Sequence, residues 1–205
     1  MRCFSCDNLS IEPICQECIK EFLTPQLIKK EIGNLEVISF FQYSNTAEFI
    51  KSKYSDSGYR VYKFIAQRYF QPFIKAYVES FKDRKIYLIG VDENLNREYS
   101  NIAILTHYGA KENRAKALHN VLKAKNKVQY AGKSLEFRLE NPRNFIYSGP
   151  KNIKAILIDD TVTTGSTLEE ASRVLKRNGV EVDFALTIAN AIEGTDYWFF
   201  IWLKY

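Results

Sequence analysis

Two short segments of this chain carry most of the residue types that could do chemistry. The first runs from Ile156 to Thr167 and reads ILIDDTVTTGST. An apolar run ends in two carboxylates, Asp159 and Asp160. Small residues follow (Thr161, Val162, Thr163, Thr164, Gly165), and a helical pattern opens at Ser166 and Thr167. Strand, polar loop and helix start together grip an anion, because the free N–H groups of a helix start point at whatever the loop encloses. Gly165 lets backbone approach that anion closely, and the hydroxyls add donors without charge. Ser166 and Glu169 have the spacing of a capping box. The aspartates would repel a phosphate, so they must face something else. Adjacent sugar hydroxyls fit, since carboxylates accept hydrogen bonds from a diol. A ribose 5-phosphate is the ligand this pattern suits. The lysine-bearing GxxxxGK[ST] nucleotide loop is absent, as no lysine follows Gly165.

The second segment holds all four cysteines, Cys3, Cys6, Cys15 and Cys18, in a CxxC-x8-CxxC array. Each CxxC forms a knuckle that aims two sulfurs at one point, and two knuckles complete a tetrahedron. Four protein ligands leave no open position, so a bound Zn²⁺ is expected to be structural. Arg2 and Lys20 are placed to offset the −2 charge of the site. A redox dithiol is the competing reading.

These segments need elements to position them. Leu35–Tyr43, Lys85–Val91, Ile153–Ile158 and Val180–Ala189 read as strands, the third ending at Asp159. Ser166–Asn178 reads as a helix, with Leu168, Ala171, Ser172 and Leu175 on one face and Gly179 after its end. A helix is predicted around Ser100–His107. Tyr59–Phe81 also has a helical period: Tyr62, Ile65, Tyr69, Phe73 and Tyr77 fall within about 120° of arc and read as core. Arg60, Lys63, Arg68, Lys75 and Lys82 lie opposite, and Pro72 should kink or split the helix. The region around Thr24-Pro25 reads as a linker. Strands alternating with helices predict an α/β fold with a mostly parallel sheet. The expected division is a four-cysteine zinc module over 1–25 and an α/β domain over 31–205.

Composition narrows the classes. Of 205 residues, 46% are hydrophobic and 26% charged, which excludes wholesale disorder. The C-terminal apolar run Tyr197–Leu203 is too short to span a membrane and reads as packing. No apolar stretch follows Arg2, so a cytoplasmic chain without a secretory signal is expected. The net charge of +5 is uneven. Residues 51–85 hold nine Lys/Arg against three acids, and residues 111–138 hold eight against two, so an anionic partner competes with a merely solvated surface.

The Ile156–Thr167 segment resembles the phosphoribosyl pyrophosphate (PRPP) motif of type I phosphoribosyltransferases. By that resemblance Asp159 and Asp160 contact the ribose hydroxyls. Thr161, Thr163, Thr164, Gly165, Ser166 and Thr167 hold the 5-phosphate, and Mg²⁺ accompanies the pyrophosphate. The chain as a whole resembles the ComF family, competence-associated phosphoribosyltransferase-like proteins with an N-terminal four-cysteine zinc unit. Tyr54 in IKSKYS, the run Arg97-Glu-Tyr-Ser-Asn101, and Gln129, Leu135, Arg138, Asn141 and Phe145 echo family positions. A Pro-Val-Pro turn of the family is replaced by Gly90-Val91-Asp92.

The resemblance implies a type I phosphoribosyltransferase-like fold. It also implies a role in natural transformation: binding PRPP or a related phosphosugar and handling single-stranded DNA at the inner face of the membrane, beside the DNA-uptake machinery. An active phosphoribosyltransferase, passing ribose 5-phosphate from PRPP to a nucleobase or amine, is the alternative. Transfer needs cations for the departing pyrophosphate, for which Arg97, Lys111 and Arg114 are candidates. Lys63, Lys75 and Lys82 are the candidates for DNA phosphates. His107 and His119 have no evident partner in the sequence, and no catalytic residue is marked.

Overall fold

Apolar strands that are hydrophobic on both faces must be covered on both, and this chain does so with helices on one side and a helix plus a hairpin on the other. The computed structural model describes residues 1–91, 100–111, 114–126 and 135–191. In chain order these form α1 (Gln16–Phe22), β1 (Ile28–Ile32), β2 (Leu35–Gln42), α2 (Tyr43–Lys51), α3 (Gly58–Ile65), a π segment (Ala66–Phe70) and α4 (Gln71–Glu79). There follow β3 (Ile86–Gly90), α5 (Asn101–Gly109), β4 (Ala115–Leu118), β5 (Leu122–Ala124), α6 (Leu135–Glu140), β6 (Phe145–Tyr147), β7 (Ile153–Val162), α7 (Ser166–Arg177) and β8 (Val180–Asn190).

The main sheet has the order β1-β2-β8-β7-β3-β4, and β5 pairs with β6 apart from it. Every main-sheet pairing is parallel except the β1–β2 hairpin. Ile38, Phe40, Leu88, Ile156, Ile158 and Leu186 pack against α2–α5. Val37, Ile89, Ala155, Leu157 and Ala185 pack against α7 and the β5–β6 pair. The buried face of α7 is Leu168, Ala171, Ser172 and Leu175, as its period predicts. Each of the two leucines contributes roughly 1.5–3 kcal/mol by leaving water. Gly179 follows with φ +79, the left-handed turn that ends such helices.

Two expectations need correction, and one element goes unforeseen: beyond the irregular region around Thr24-Pro25, β1 pairs with β2 as the edge strand of the main sheet. Strand β7 does not end at Asp159 but continues through both aspartates to Val162, because β8 is long enough to pair with it up to Asn190. The predicted helix Tyr59–Phe81 is two helices joined by the π segment. The Gln71 N–H bonds the Ala66 carbonyl five residues back, and Pro72, which has no N–H to give, enters the first turn of α4. The stripe is core in its first part, where Tyr62, Ile65 and Tyr69 are buried; Phe73 and Tyr77 are partly buried, and Phe70, Ile74 and Val78 take the inward positions beyond the π segment.

The cysteine module is tied into this core. Cys3, Ile14, Cys15, Cys18, Ile19 and Leu23 belong to the same buried cluster as Phe40, Phe41 and Phe49.

Candidate functional site

Topology alone marks one crevice. The crossover after β3 leads to β4 on one side, and the crossover after β7 leads to β8 on the other. Parallel sheets bind ligands outside the carboxyl ends of the strands where the connections diverge in this way. Here those ends are Gly90 of β3 and the Asp159–Val162 end of β7, which are neighbours: the Val91 N–H bonds the Ile158 carbonyl at 2.9 Å.

The loop Thr163–Gly165 leaves β7 at this crevice and enters α7. Gly165 is the N-cap, in left-handed conformation with φ +79, and its carbonyl accepts from the Glu169 N–H at 2.9 Å. The capping box of Ser166 and Glu169 is therefore not formed. Ser166 lies one position inside the helix and pairs its hydroxyl with that of Thr164 at 3.0 Å. A side chain at Gly165 would also collide with Ile32 of β1. Glycine is thus required twice, for its φ and for the hairpin packed on it. The Thr161 hydroxyl is buried without a partner in the structure.

Alternation along β7 sends Asp159 and Asp160 to opposite faces. Asp160 turns towards the α2–α5 layer, where its Oδ2 accepts from Lys53 Nζ at 2.7 Å and from the Tyr62 hydroxyl at 3.3 Å. The pair is sheltered, with Lys53 and Asp160 side chains 27% and 13% exposed. Burial works to lower the Lys53 pKa, but the Asp160 charge outweighs it and the net shift is upward. Burial, reinforced by Asp160, raises the Tyr62 phenol well above its ordinary value. Burial and then the Asp160 charge push the Asp159 carboxyl up to about 8, although the Asp160 N–H bonds it at 2.8 Å.

The two carboxylates therefore do not present a charge of −2 at neutral pH. One is largely protonated and the other is neutralised by an ammonium. That removes much of the repulsion towards a phosphate in the adjacent loop. Lys53 is the residue that the sequence reading missed. It adjoins the Tyr54 singled out in IKSKYS, but its partner lies 107 positions away. Tyr54 itself is 67% exposed.

The four cysteine sulfurs lie within 4.8 Å of one another, and all four are free of disulfides. A tetrahedral Zn²⁺ with bonds near 2.3 Å needs sulfurs roughly 3.8 Å apart; Cys6 and Cys15 are separated by 3.6 Å. The Cys15 N–H points at Cys3 Sγ, 3.2 Å away. Burial works against ionising Cys3, but N–H donors from Cys6, Cys15 and Ser5 outweigh it and bring the thiol down to about 6. Burial and then the neighbouring thiols push Cys18 up to about 12. Four converging sulfurs, with Cys3 drawn towards ionisation by backbone donors, make a set that can hold a metal such as zinc. Arg2 bonds the Asp7 carbonyl at 2.9 Å and pairs with its carboxylate at 3.4 Å.

Other candidates are not brought to the crevice. Arg114 precedes β4 at the opposite, N-terminal end of the sheet, where it binds the carbonyls of Phe81 and Lys82. The Lys111 ammonium lies 4.6 Å from the Tyr108 ring in the helical layer. Arg97, Gln129 and the Tyr197–Leu203 run lie outside the described residues. Of the candidates for DNA phosphates, Lys63 lies in α3 and Lys75 in α4, while Lys82 follows the end of α4. Lys63 leans on Tyr108 at 5.1 Å, while Lys75 and Lys82 are exposed. The two histidines meet each other, ring centroids 6.0 Å apart, on the surface.

No family model matches the chain, and no curated protein matches it in sequence. Solved structures with a similar chain path include a Staphylococcus aureus hypoxanthine phosphoribosyltransferase (10% identity, TM-score 0.38, covering 62% of this chain and 64% of that one). This chain thus spans a little under two thirds of that enzyme's length. They also include the Mycobacterium tuberculosis orotate phosphoribosyltransferase (10%, 0.38, covering 85% and 82%). A third is a Leishmania tarentolae adenine phosphoribosyltransferase (10%, 0.40, covering 85% and 91%). At TM-scores below 0.5 these likenesses carry no weight for function, which must be argued from the residues themselves.

Proposed function

We propose that the protein binds the 5-phosphate of PRPP or a related phosphosugar in the Thr163–Thr167 loop, with the sugar over the carboxyl end of β7. The observation that carries this reading is the 2.7 Å Lys53–Asp160 ion pair, which offsets carboxylate charge beside a loop of uncharged donors. Such a site accepts an anion and still offers carboxyl groups to sugar hydroxyls. Thr161, with its unpartnered hydroxyl, is one more group for a ligand to satisfy. Lys53 is the described cation beside the aspartates and takes the place proposed for Lys111 and Arg114. Mg²⁺ would accompany the pyrophosphate. Added PRPP and Mg²⁺ should raise the melting temperature by mass action. Asp159→Ala with Asp160→Ala should abolish the shift, and a full shift in that variant would sink the reading.

The four cysteines are proposed to hold one structural Zn²⁺. The ComF resemblance further supports a role in natural transformation, on the cytoplasmic side of the membrane beside the uptake machinery, with single-stranded DNA as a partner. Among the described residues no helix is long and apolar enough to cross a membrane. If Lys63, Lys75 and Lys82 contact DNA phosphates, replacing all three with alanine should flatten the salt dependence of binding by roughly two units. An unchanged slope removes them from the surface. An active transferase is the second reading, favoured by the intact Asp159–Thr167 run, and pyrophosphate release across a panel of bases decides it.

A further inference from the structure

A groove of about 580 Å³ runs along α7 between that helix and the β5–β6 pair. Its volume falls within the range of roughly 300–1,000 Å³ usual for small-molecule sites. Ser166 and Thr167 line one end and Arg177 the other, about 16 Å away at about 1.5 Å rise per residue.

The two kinds of lining are separable. Lys125, Arg173 and Arg177 are exposed, and among the described residues none of them is in an ion pair. Arg173 and Arg177 are one helical turn apart, so their side chains leave the same face. One of the two acids at the groove is already engaged. Glu170 accepts from the N–H groups of Arg143 and Asn144, at 3.0 and 2.7 Å, and so fixes the facing wall. Glu169 lies against Gly33 in the β1–β2 turn. Ile146, Val174 and Pro142 add apolar lining to the same groove, with the buried Phe145. Ile146 is 47% exposed, one of few large apolar side chains left open to water.

We propose that this groove binds a nucleotide, its ring on Ile146 and Val174 and its phosphates on Lys125, Arg173 and Arg177. A groove lined by both apolar side chains and cations outside any ion pair matches a planar ring that carries phosphate. A bare polyanion would leave the apolar lining wet, and a neutral ring would leave the cations unused. The proposal does not depend on the phosphosugar reading of the loop.

The test uses the full chain and adenosine diphosphate carrying a fluorescent methylanthraniloyl group on its ribose. Wild-type protein should bind the probe, and unlabelled adenosine diphosphate should displace it at least tenfold more effectively than tripolyphosphate. Arg173→Ala with Arg177→Ala should weaken binding at least tenfold, and Ile146→Asp at least threefold. All three positions are exposed, and melting curves confirm that the variants fold. No binding to wild type, unchanged binding in either variant, or equal displacement by tripolyphosphate would overturn the proposal. The melting shift from PRPP, followed in the same variants, reports separately on the loop.

Discussion

The cysteine module and the β7–α7 loop are assembled in opposite ways. The module is built from its own neighbourhood: four sulfurs from eighteen consecutive positions converge to within 4.8 Å. The loop is local in its donors but remote in its charge balance. Its aspartates are tuned by Lys53 and Tyr62, about a hundred positions earlier, and its turn is clamped by Ile32. A site of the first kind should fail when one ligand is lost. A site of the second kind should degrade by degrees, each remote partner changing it by a separate amount.

The largest expected effect is at the module. Cys15→Ser should release about one equivalent of Zn²⁺ and lower the melting temperature by roughly 10 °C, a few kcal/mol for a chain of this size. The loss should spread, because Cys15 shares its buried cluster with Phe40 and Phe49. Freshly reduced protein that binds no zinc would break the comparison on this side.

At the loop, Gly165→Val should cost roughly 1–3 kcal/mol for the left-handed backbone alone, with the collision against Ile32 added. Denaturant unfolding measures the sum, and the PRPP-dependent melting shift should vanish with it. Lys53→Met should come next, at about 2 kcal/mol, because it leaves a sheltered Asp160 without its counter-charge. Adding Asp160→Asn should recover most of that loss in a double-mutant cycle; full additivity would mean that the ion pair is not what couples them.

The remaining effect is one of pH. Asp159 is held at about 8 in the folded protein, against an ordinary aspartate in the unfolded chain. Between about pH 4 and pH 8 the folded state therefore binds more protons than the unfolded one, so stability falls as pH rises through that window. Asp159→Asn should flatten this fall. An unchanged pH profile in the variant would show that Asp159 does not titrate high.

The same contrast explains what was legible in the sequence. The cysteine spacing, the α7 face and the parallel sheet rest on periodicities and short motifs, and the chain reads accordingly. The N-cap at Gly165 rather than Ser166 depends on a backbone angle that composition does not specify. Strand β1 escapes notice because two lysines and a glutamate separate its two isoleucines. Lys53 looks like any surface lysine until the fold carries α2 over the end of β7. Arg114 looks like an anion ligand until two carbonyls at the other end of the sheet claim it.

The π segment at Ala66–Phe70 acts as a spare residue in the thread of a screw. Upstream of it the buried positions are Tyr62, Ile65 and Ala66; downstream they are Phe70, Ile74 and Val78, one place later than an unbroken helix would set them. Deleting a single residue there would restore an ordinary pitch. It would leave Ile74 and Val78 facing the core, whereas straightening the segment to α pitch with its extra residue kept would turn every later side chain of α4 by about 100°, bringing Phe73 and Tyr77 inward where Ile74 and Val78 now pack. The wide turn is held because the core beyond it is cut to the shifted thread.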